Sequence, residues 1–164
     1  MSNTKILGII LIGLLVIAVV LGVVQFNNNK DITLRLSQKS PLPENIEFDM
    51  ESQSPYKDLI GVWSGTWARN NPALAMTTTL VIRSIDEADV ATVIYSWGNN
   101  DELGVIEGYI ETIAQIEGKV IDVKMRNPLK LIYLFEDDGR EGRRLHGFFD
   151  NGFTAVSGVI KKQK

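Results

Sequence analysis

The chain has 164 residues, a formal net charge of −3, one histidine and no cysteine. The absence of cysteine excludes disulfide frameworks, thiolate metal sites and a lipid-modified cysteine, and a single histidine excludes sites built from two or three histidines. The mild acidity argues against nucleic-acid binding. Hydrophobic residues make up 45% of the chain and are concentrated near its beginning, which indicates an apolar segment followed by one domain of ordinary composition.

The apolar segment occupies residues 6–24 and contains only Ile, Leu, Val, Ala and Gly. A helix of about 19 residues spans roughly 29 Å, close to the hydrocarbon thickness of a bilayer. We therefore predict one uncleaved transmembrane helix over residues 6–26, within a membrane anchor at residues 1–26. A cleaved signal peptide is the alternative, although such peptides have shorter apolar stretches and end in a small-x-small site that this run lacks.

The charges that flank the apolar segment bear on its orientation. Lys5 precedes it, whereas Lys30, Arg35 and Lys39 follow it, and a plain count of positive residues would place the C-terminal side in the cytoplasm. However, a short head before a long apolar run is typical of a signal-anchor, which leaves the body outside. We expect a single-pass protein of a bacterial cell envelope, with the membrane as a partner and the C-terminal domain extracytoplasmic.

Residues 27–57 form a polar stretch rich in Asn, Gln, Ser, Pro and charge. Such a composition disfavours regular structure and predicts a linker that lifts the domain off the bilayer. Ile32, Leu34 and Leu36 alternate with polar residues and leave open a short edge strand. The linker separates the anchor from a domain predicted over residues 58–164.

From residue 60 onward the hydrophobic pattern has a period of two, which is typical of β-strands and not of helices. β-branched and aromatic residues dominate every run. Asn151-Gly152 and Glu117-Gly118 provide hairpin turns between runs, and Asn127-Pro128 provides another break. The predicted strands are residues 60–68, 76–85, 90–97, 109–117, 119–125, 129–136, 144–150 and 153–162.

Eight consecutive strands joined by short loops predict an all-β domain, an eight-stranded antiparallel up-and-down barrel. Closure between the first and last strands removes both exposed edges of the sheet. A β-sandwich is the main alternative, but it normally uses longer crossing connections. A barrel of eight strands is wide enough either to be filled by side chains or to hold one small ligand.

The first strand begins with Gly61-Val62-Trp63, which resembles the Gly-x-Trp signature of the lipocalins and the wider calycin superfamily. Gly65-Thr66-Trp67 repeats the motif four residues later. The resemblance implies a calycin-like barrel in which the tryptophan packs across the closed end. It also implies a basic residue from the last strand lying over that ring, for which Lys161 or Lys162 is the match. Ligand binding is a further implication of the resemblance.

The aromatic residues of the strands are the candidate ligand-binding residues. Trp63 and Trp67 share one face of the first strand and would form the floor of a pocket, and core packing is the alternative for both. A polar loop directly follows the third strand, and loops on a rigid scaffold often carry binding groups. We therefore expect any pocket to open near the end of that strand. The candidate set is Trp63, Trp67, Tyr95, Trp97 and Tyr133.

The sequence shows no catalytic constellation, and we predict neither an enzyme nor a metal or cofactor site. His146 stands alone, without a recognisable nucleophile or orienting acid. Arg83 is expected on a solvated face, whereas an inward arginine would suit an anionic ligand. No phosphate-binding loop or dinucleotide fingerprint is present.

Two functions remain open at this point. The first is a membrane-tethered barrel that binds a small apolar or amphipathic ligand. The second is a solid barrel that docks an envelope protein or serves as an accessory module without a ligand. An interior cavity of roughly 300 Å³ or more would favour the first. A core filled by Trp63, Trp67 and Phe148 would favour the second.

Overall fold

The computed structural model describes residues 40–67, 75–137, 143–152 and 155–163. The predicted anchor at residues 1–26 and the first part of the linker lie outside the described residues, so both stay predictions. Within the described ranges, no helix is long and apolar enough to cross a membrane.

The domain is a closed barrel of eight strands in sequence order, and each strand is antiparallel to its neighbours. The last strand pairs with the first, with Trp63 opposite Lys162 and Trp67 opposite Gly158. The prediction of an all-β, eight-stranded antiparallel barrel is confirmed. The strands are β1 (Gly61–Trp67), β2 (Met76–Ile85), β3 (Val90–Trp97), β4 (Gly108–Glu117), β5 (Val120–Val123), β6 (Lys130–Asp137), β7 (Arg143–Asp150) and β8 (Ala155–Lys162).

Two glycines allow β1 and β8 to close the barrel. A Cβ atom on Gly65 would lie 2.1 Å from Val159 O, and one on Gly158 would lie 2.2 Å from Thr66 O. Both distances are far below van der Waals contact, so a larger residue at either position would push the two strands apart. The seam therefore depends on glycine facing the backbone of the opposite strand.

Alternation along the strands places one face of each strand in the core. On β4, Ile110, Thr112, Ala114 and Ile116 are more buried than their neighbours, as the period of two predicts. The largest fully buried side chains include Trp63, Trp67, Tyr133, Leu80, Ile82, Ile121, Leu131, Leu145 and Ile160.

Phe148, which would help to fill the core in the solid-barrel alternative, does not belong to the core. Its side chain is 45% exposed, whereas Leu145, Gly147 and the core-packed Phe149 lie on the interior side of β7. Two adjacent phenylalanines on a strand must point to opposite faces. The register of β7 therefore places Phe149 inside and leaves Phe148 on the outer surface.

Residues 40–52 lie across the outer face of β2 and β3, although we expected this stretch to be part of a free linker. Ser96 Oγ donates to Pro41 O, Asp49 N donates to Arg83 O, and Ser52 Oγ donates to Ile85 O at 2.6 Å. We call residues 40–52 the strap. The outer face that the strap contacts is apolar, like the inner face. Strands with apolar residues on both faces need cover on both sides.

The two ends of the barrel differ. One end carries the first residue of β1 and a single 3-10 turn, Lys57–Leu59; we call it the capped end. The other carries the last residue of β1, the first of β2 and the last of β3; we call it the rim end.

Candidate functional site

The capped end is closed by Trp63 and the segment before β1. Trp63 is fully buried and its Nε1 donates to Leu59 O at 2.8 Å. Lys162 Nζ lies 5.7 Å from the centroid of the Trp63 ring and donates to Asp58 O at 2.6 Å. This is the arrangement that the calycin resemblance implies for a basic residue of the last strand, and Lys162 occupies the position.

Several charged groups meet at the capped end, where Arg143 Nε also lies 3.4 Å from Asp137 Oδ2. Arg143 Nη2 donates to Asp58 Oδ2 at 3.0 Å. Partial burial lowers the pKa of Lys162, nearby Arg143 lowers it further, and Asp58 acts in the opposite direction. Lys162 connects the Trp63 ring with the segment before β1 through its position over the ring and its hydrogen bond to Asp58 O.

The rim end is lined by partly buried apolar side chains that pack on the core. They lie on inward-facing positions near the strand ends that meet here or just beyond a strand end, so the up-and-down topology brings them to one end. A mixture of aromatic and flexible side chains of this kind is typical of surfaces that bind apolar molecules. We call this set the rim; it comprises Met76, Trp97, Ile110, Met125, Phe149 and Val156.

Three large aromatic residues lie beneath the rim. Trp67 Nε1 donates to Tyr95 Oη at 3.0 Å, and the Trp67 ring centroid lies 5.9 Å from that of Tyr133 and 6.3 Å from that of Phe149. Gly147 makes room for this cluster, since a Cβ atom there would lie 2.4 Å from Trp67 Cη2. The interior below the rim is therefore packed with aromatic side chains.

Polar atoms within this cluster are removed from solvent. Burial raises the pKa of Tyr95 to about 12, and it raises the pKa of Tyr133 well above its ordinary value. The Thr78 hydroxyl acts in the opposite direction on both tyrosines, and it donates its own hydrogen to Ser96 O at 3.1 Å. Both phenols are thus held in their neutral form.

Trp97 stands at the rim itself and organises the loop that follows. Its indole Nε1 donates to Ile106 O at 2.8 Å, and its ring centroid lies 5.6 Å from that of Tyr95. Within the same loop, Asn99 Oδ1 accepts a hydrogen bond from Glu107 N at 2.7 Å. Loop residues 98–107 are thereby attached to the edge of the rim.

Two depressions lie on the outer wall of the barrel. One, of about 410 Å³, lies between the strap and β2–β3 and includes Phe48 and Arg83. The other, of about 390 Å³, lies over β1, β7 and β8 and includes Thr66, His146 and Val159. Neither contains any of the five predicted ligand-binding residues.

The charged candidates face outward. Arg83 Nη1 lies 3.2 Å from Glu111 Oε2, and His146 Nε2 lies 2.9 Å from Glu136 Oε2. Among the described residues, no group of three or more His, Asp or Glu side chains is placed to hold a metal ion.

The five predicted binding residues divide between the two ends. Trp67, Tyr95, Trp97 and Tyr133 meet at the rim end, as expected for a pocket near the end of the third strand. Trp63 lies at the capped end, away from these four residues, and the expectation that it forms the floor of a pocket with Trp67 stays a prediction. Four residues at the rim end were not predicted from the sequence: Met76, Met125, Phe149 and Thr78. The alternation of inward-facing and outward-facing residues along each strand was the signal that could have identified them.

The fold and this cluster define an all-β protein with a closed eight-stranded up-and-down barrel, an architecture consistent with a calycin-like barrel. No family model, curated protein or solved structure matches the chain.

Proposed function

We propose that the chain is a membrane-tethered, extracytoplasmic, calycin-like barrel that binds a small apolar or amphipathic molecule at its rim end. The observation that carries the proposal is the contrast between the two ends. The Lys57–Leu59 turn and the Trp63–Lys162 contact close the capped end. The rim end presents partly buried aromatic, aliphatic and methionine side chains around a buried aromatic cluster.

The chemistry of the rim supports an apolar ligand. Covering its side chains removes apolar surface from water, which is worth about 25 cal/mol per Å². Met76 and Met125 can adjust to the shape of a ligand because their side chains are unbranched and flexible. Trp97 adds a rigid aromatic face at the edge.

The second candidate function is a solid barrel that docks another envelope protein. The observation that favours it is an apolar area on the outer wall. Leu134, Phe148 and Val159 are 48%, 45% and 38% exposed. They lie on the neighbouring strands β6, β7 and β8, and Leu134 and Val159 are both paired in register with His146.

One experiment separates the two functions. The full chain, reconstituted in nanodiscs, is titrated with an apolar fluorescent probe, and quenching of tryptophan emission is measured against protein-free nanodiscs. Trp97→Ala should weaken probe binding at least about tenfold, a loss of about 1.4 kcal/mol of binding free energy. Phe148→Ala is the matched control on the outer wall and should leave binding unchanged.

The opposite pattern would favour the docking function. If Phe148→Ala abolishes the signal while Trp97→Ala retains it, the apolar area on the outer wall is the binding surface. If the wild-type chain binds no apolar probe, the ligand-binding proposal is wrong.

The cellular location of the C-terminal domain is tested in a separate experiment. In spheroplasts, added protease should cleave the C-terminal domain if it lies outside the cytoplasm. Full protection of the described barrel in intact spheroplasts, with cleavage after lysis, would reverse the orientation. N-terminal sequencing of the membrane-extracted protein tests whether the anchor is retained.

A further inference from the structure

The interior of the barrel has a polar layer directly beneath the apolar rim. Thr78, Tyr95 and Tyr133 each lie one inward-facing position below a rim-end residue of their own strand. Thr78 is 1% exposed, Tyr95 is 3% exposed and Tyr133 is fully buried. A ligand that displaces the aromatic side chains beneath the rim would therefore meet these hydroxyl groups.

One of these hydroxyl groups, that of Tyr133, has a hydrogen-bonding capacity that the barrel does not use in regular geometry. Tyr133 Oη is buried and makes no hydrogen bond of regular geometry with any described residue. Tyr95 Oη, by contrast, accepts from Trp67 Nε1. The Thr78 hydroxyl also acts on the pKa of Tyr133, but the two groups make no hydrogen bond of regular geometry. Buried polar groups in proteins nearly always have a partner, so the Tyr133 hydroxyl is placed to donate to an acceptor that a ligand supplies.

The interior of the same half of the barrel has no charge to offer a ligand, and the cations at this end, Lys124, Arg126 and Lys130, are exposed at its edge. Every inward-facing strand position there is uncharged among the described residues. Lys162 and Arg143 lie at the capped end, and Arg83 is on the outer wall paired with Glu111. An ionised group carried into the interior would lose its hydration without gaining a counter-ion there, which is strongly unfavourable.

We infer that the rim-end site selects neutral molecules that carry a hydrogen-bond-accepting oxygen on an apolar body, with Tyr133 Oη as the donor to that oxygen. This inference rests on the proposed function and names the ligand class for the same site. Ketones, esters, ethers and alcohols belong to this class, whereas fatty-acid carboxylates do not. The burial that holds both phenols neutral acts against an anionic ligand in the same way.

Three probes of equal chain length test the inference: undecane, 2-undecanone and undecanoate at pH 8. The full chain in nanodiscs binds a fluorescent apolar probe, and each compound competes with it. Partitioning into protein-free nanodiscs is measured separately and subtracted. We expect 2-undecanone to bind about fivefold more tightly than undecane, the gain of one hydrogen bond. Undecanoate should bind at least about tenfold more weakly than the ketone.

Tyr133→Phe is the decisive variant, because it removes one oxygen atom and keeps the ring. It should abolish the preference for the ketone over undecane. The carbonyl stretch of isotope-labelled 2-undecanone should shift to lower frequency in the wild type and lose that shift in Tyr133→Phe. Tyr109→Phe is the matched control, since Tyr109 is 44% exposed on the outer face of β4; it should change none of these results.

The outcomes distinguish the inference from the function on which it rests. Equal binding of ketone and undecane, or a preference that survives Tyr133→Phe, overturns the role of Tyr133 and leaves apolar binding in place. If undecanoate binds most tightly of the three compounds, the inference that the site selects neutral ligands is wrong. Failure of all three compounds and of the fluorescent probe overturns the proposed function as well.

Discussion

Lys162, the last residue of β8, places its ammonium group 5.7 Å from the centroid of the Trp63 ring of β1. The contact joins the two strands that close the barrel. The side-chain stem passes over Gly61, where a Cβ atom would lie only 2.8 Å from Lys162 Cε. The lowered pKa of Lys162 indicates that its charge is not favoured there.

We therefore expect the stem of Lys162 to matter more than its charge. Lys162→Ala should lower the free energy of unfolding by about 1–2 kcal/mol, since it removes apolar packing over Trp63. Lys162→Met keeps most of the stem and should lose less than half of that amount. Urea denaturation measures both, and Lys161→Met on the exposed side of β8 is the control. Equal losses in the two Lys162 variants would show that the charge dominates.

Alkaline pH should destabilise the barrel through Tyr95 and Tyr133. In the folded state both pKa values are raised above the ordinary value of 10.0, so above pH 10 the unfolded chain releases protons that the folded chain retains. The stabilising contribution is complete below pH 10 and is lost as the pH rises toward 12. The free energy of unfolding should fall by about 1.4 kcal/mol per pH unit for each group.

Denaturation curves between pH 9 and 11.5, together with phenolate absorbance, measure this effect. The double variant Tyr95→Phe/Tyr133→Phe should flatten the pH dependence, and Tyr109→Phe should not. Ionisation of all four tyrosines near pH 10 in the folded protein would contradict the prediction.

The two rim-end tryptophans should differ in their importance for stability. Trp67 is 1% exposed and packed among Tyr133, Phe149 and Tyr95, so Trp67→Ala should cost about 3–5 kcal/mol. Trp97 is only partly buried, and its replacement by Ala should cost less than half as much. Thermal or urea unfolding compares the two variants. An equal or larger loss for Trp97→Ala would mean that Trp97 is a core residue and not part of a binding rim.

The strap should contribute to the stability of the barrel. Ser52 is buried and donates to Ile85 O at 2.6 Å, so Ser52→Ala leaves this carbonyl without its partner and should cost about 1 kcal/mol. Gln53→Ala changes an exposed neighbour and should have little effect. Limited proteolysis gives a second readout, because cleavage within the strap should accelerate only in the Ser52 variant. Identical behaviour of both variants would show that the strap adds no stability.

Much of the fold could be predicted because a barrel strand is specified by residues that are close together in the chain. Alternating apolar residues, β-branched side chains and the turns at Asn151-Gly152 and Glu117-Gly118 determine where strands begin and end. The order of hairpins then determines which strand ends meet, which is why Tyr95, Trp97 and Tyr133 could be expected near one another. The closure between β1 and β8 also follows from eight consecutive strands without a long crossing.

The alternation of apolar and polar residues predicted less about strands in which it is interrupted. Leu80, Val81 and Ile82 form a continuous apolar run, which shows that both faces of β2 are covered but not by what. The strap at residues 40–52 provides contacts on the outer face, although its polar composition favoured a free linker. Phe148 and Phe149 are adjacent, and only the register of β7 with its neighbours decides which of them enters the core.

The sequence by itself determined the strand pattern, the apolar N-terminal run and the aromatic residues of the site, since each depends on residues close together in the chain. Only the tertiary structure decided that Trp63 and Trp67 lie toward opposite ends and that Lys162 covers Trp63. It also decided that Tyr133 Oη is buried without a regular hydrogen bond among the described residues. These properties depend on distances between atoms on different strands, and such distances are set by register and packing across the barrel.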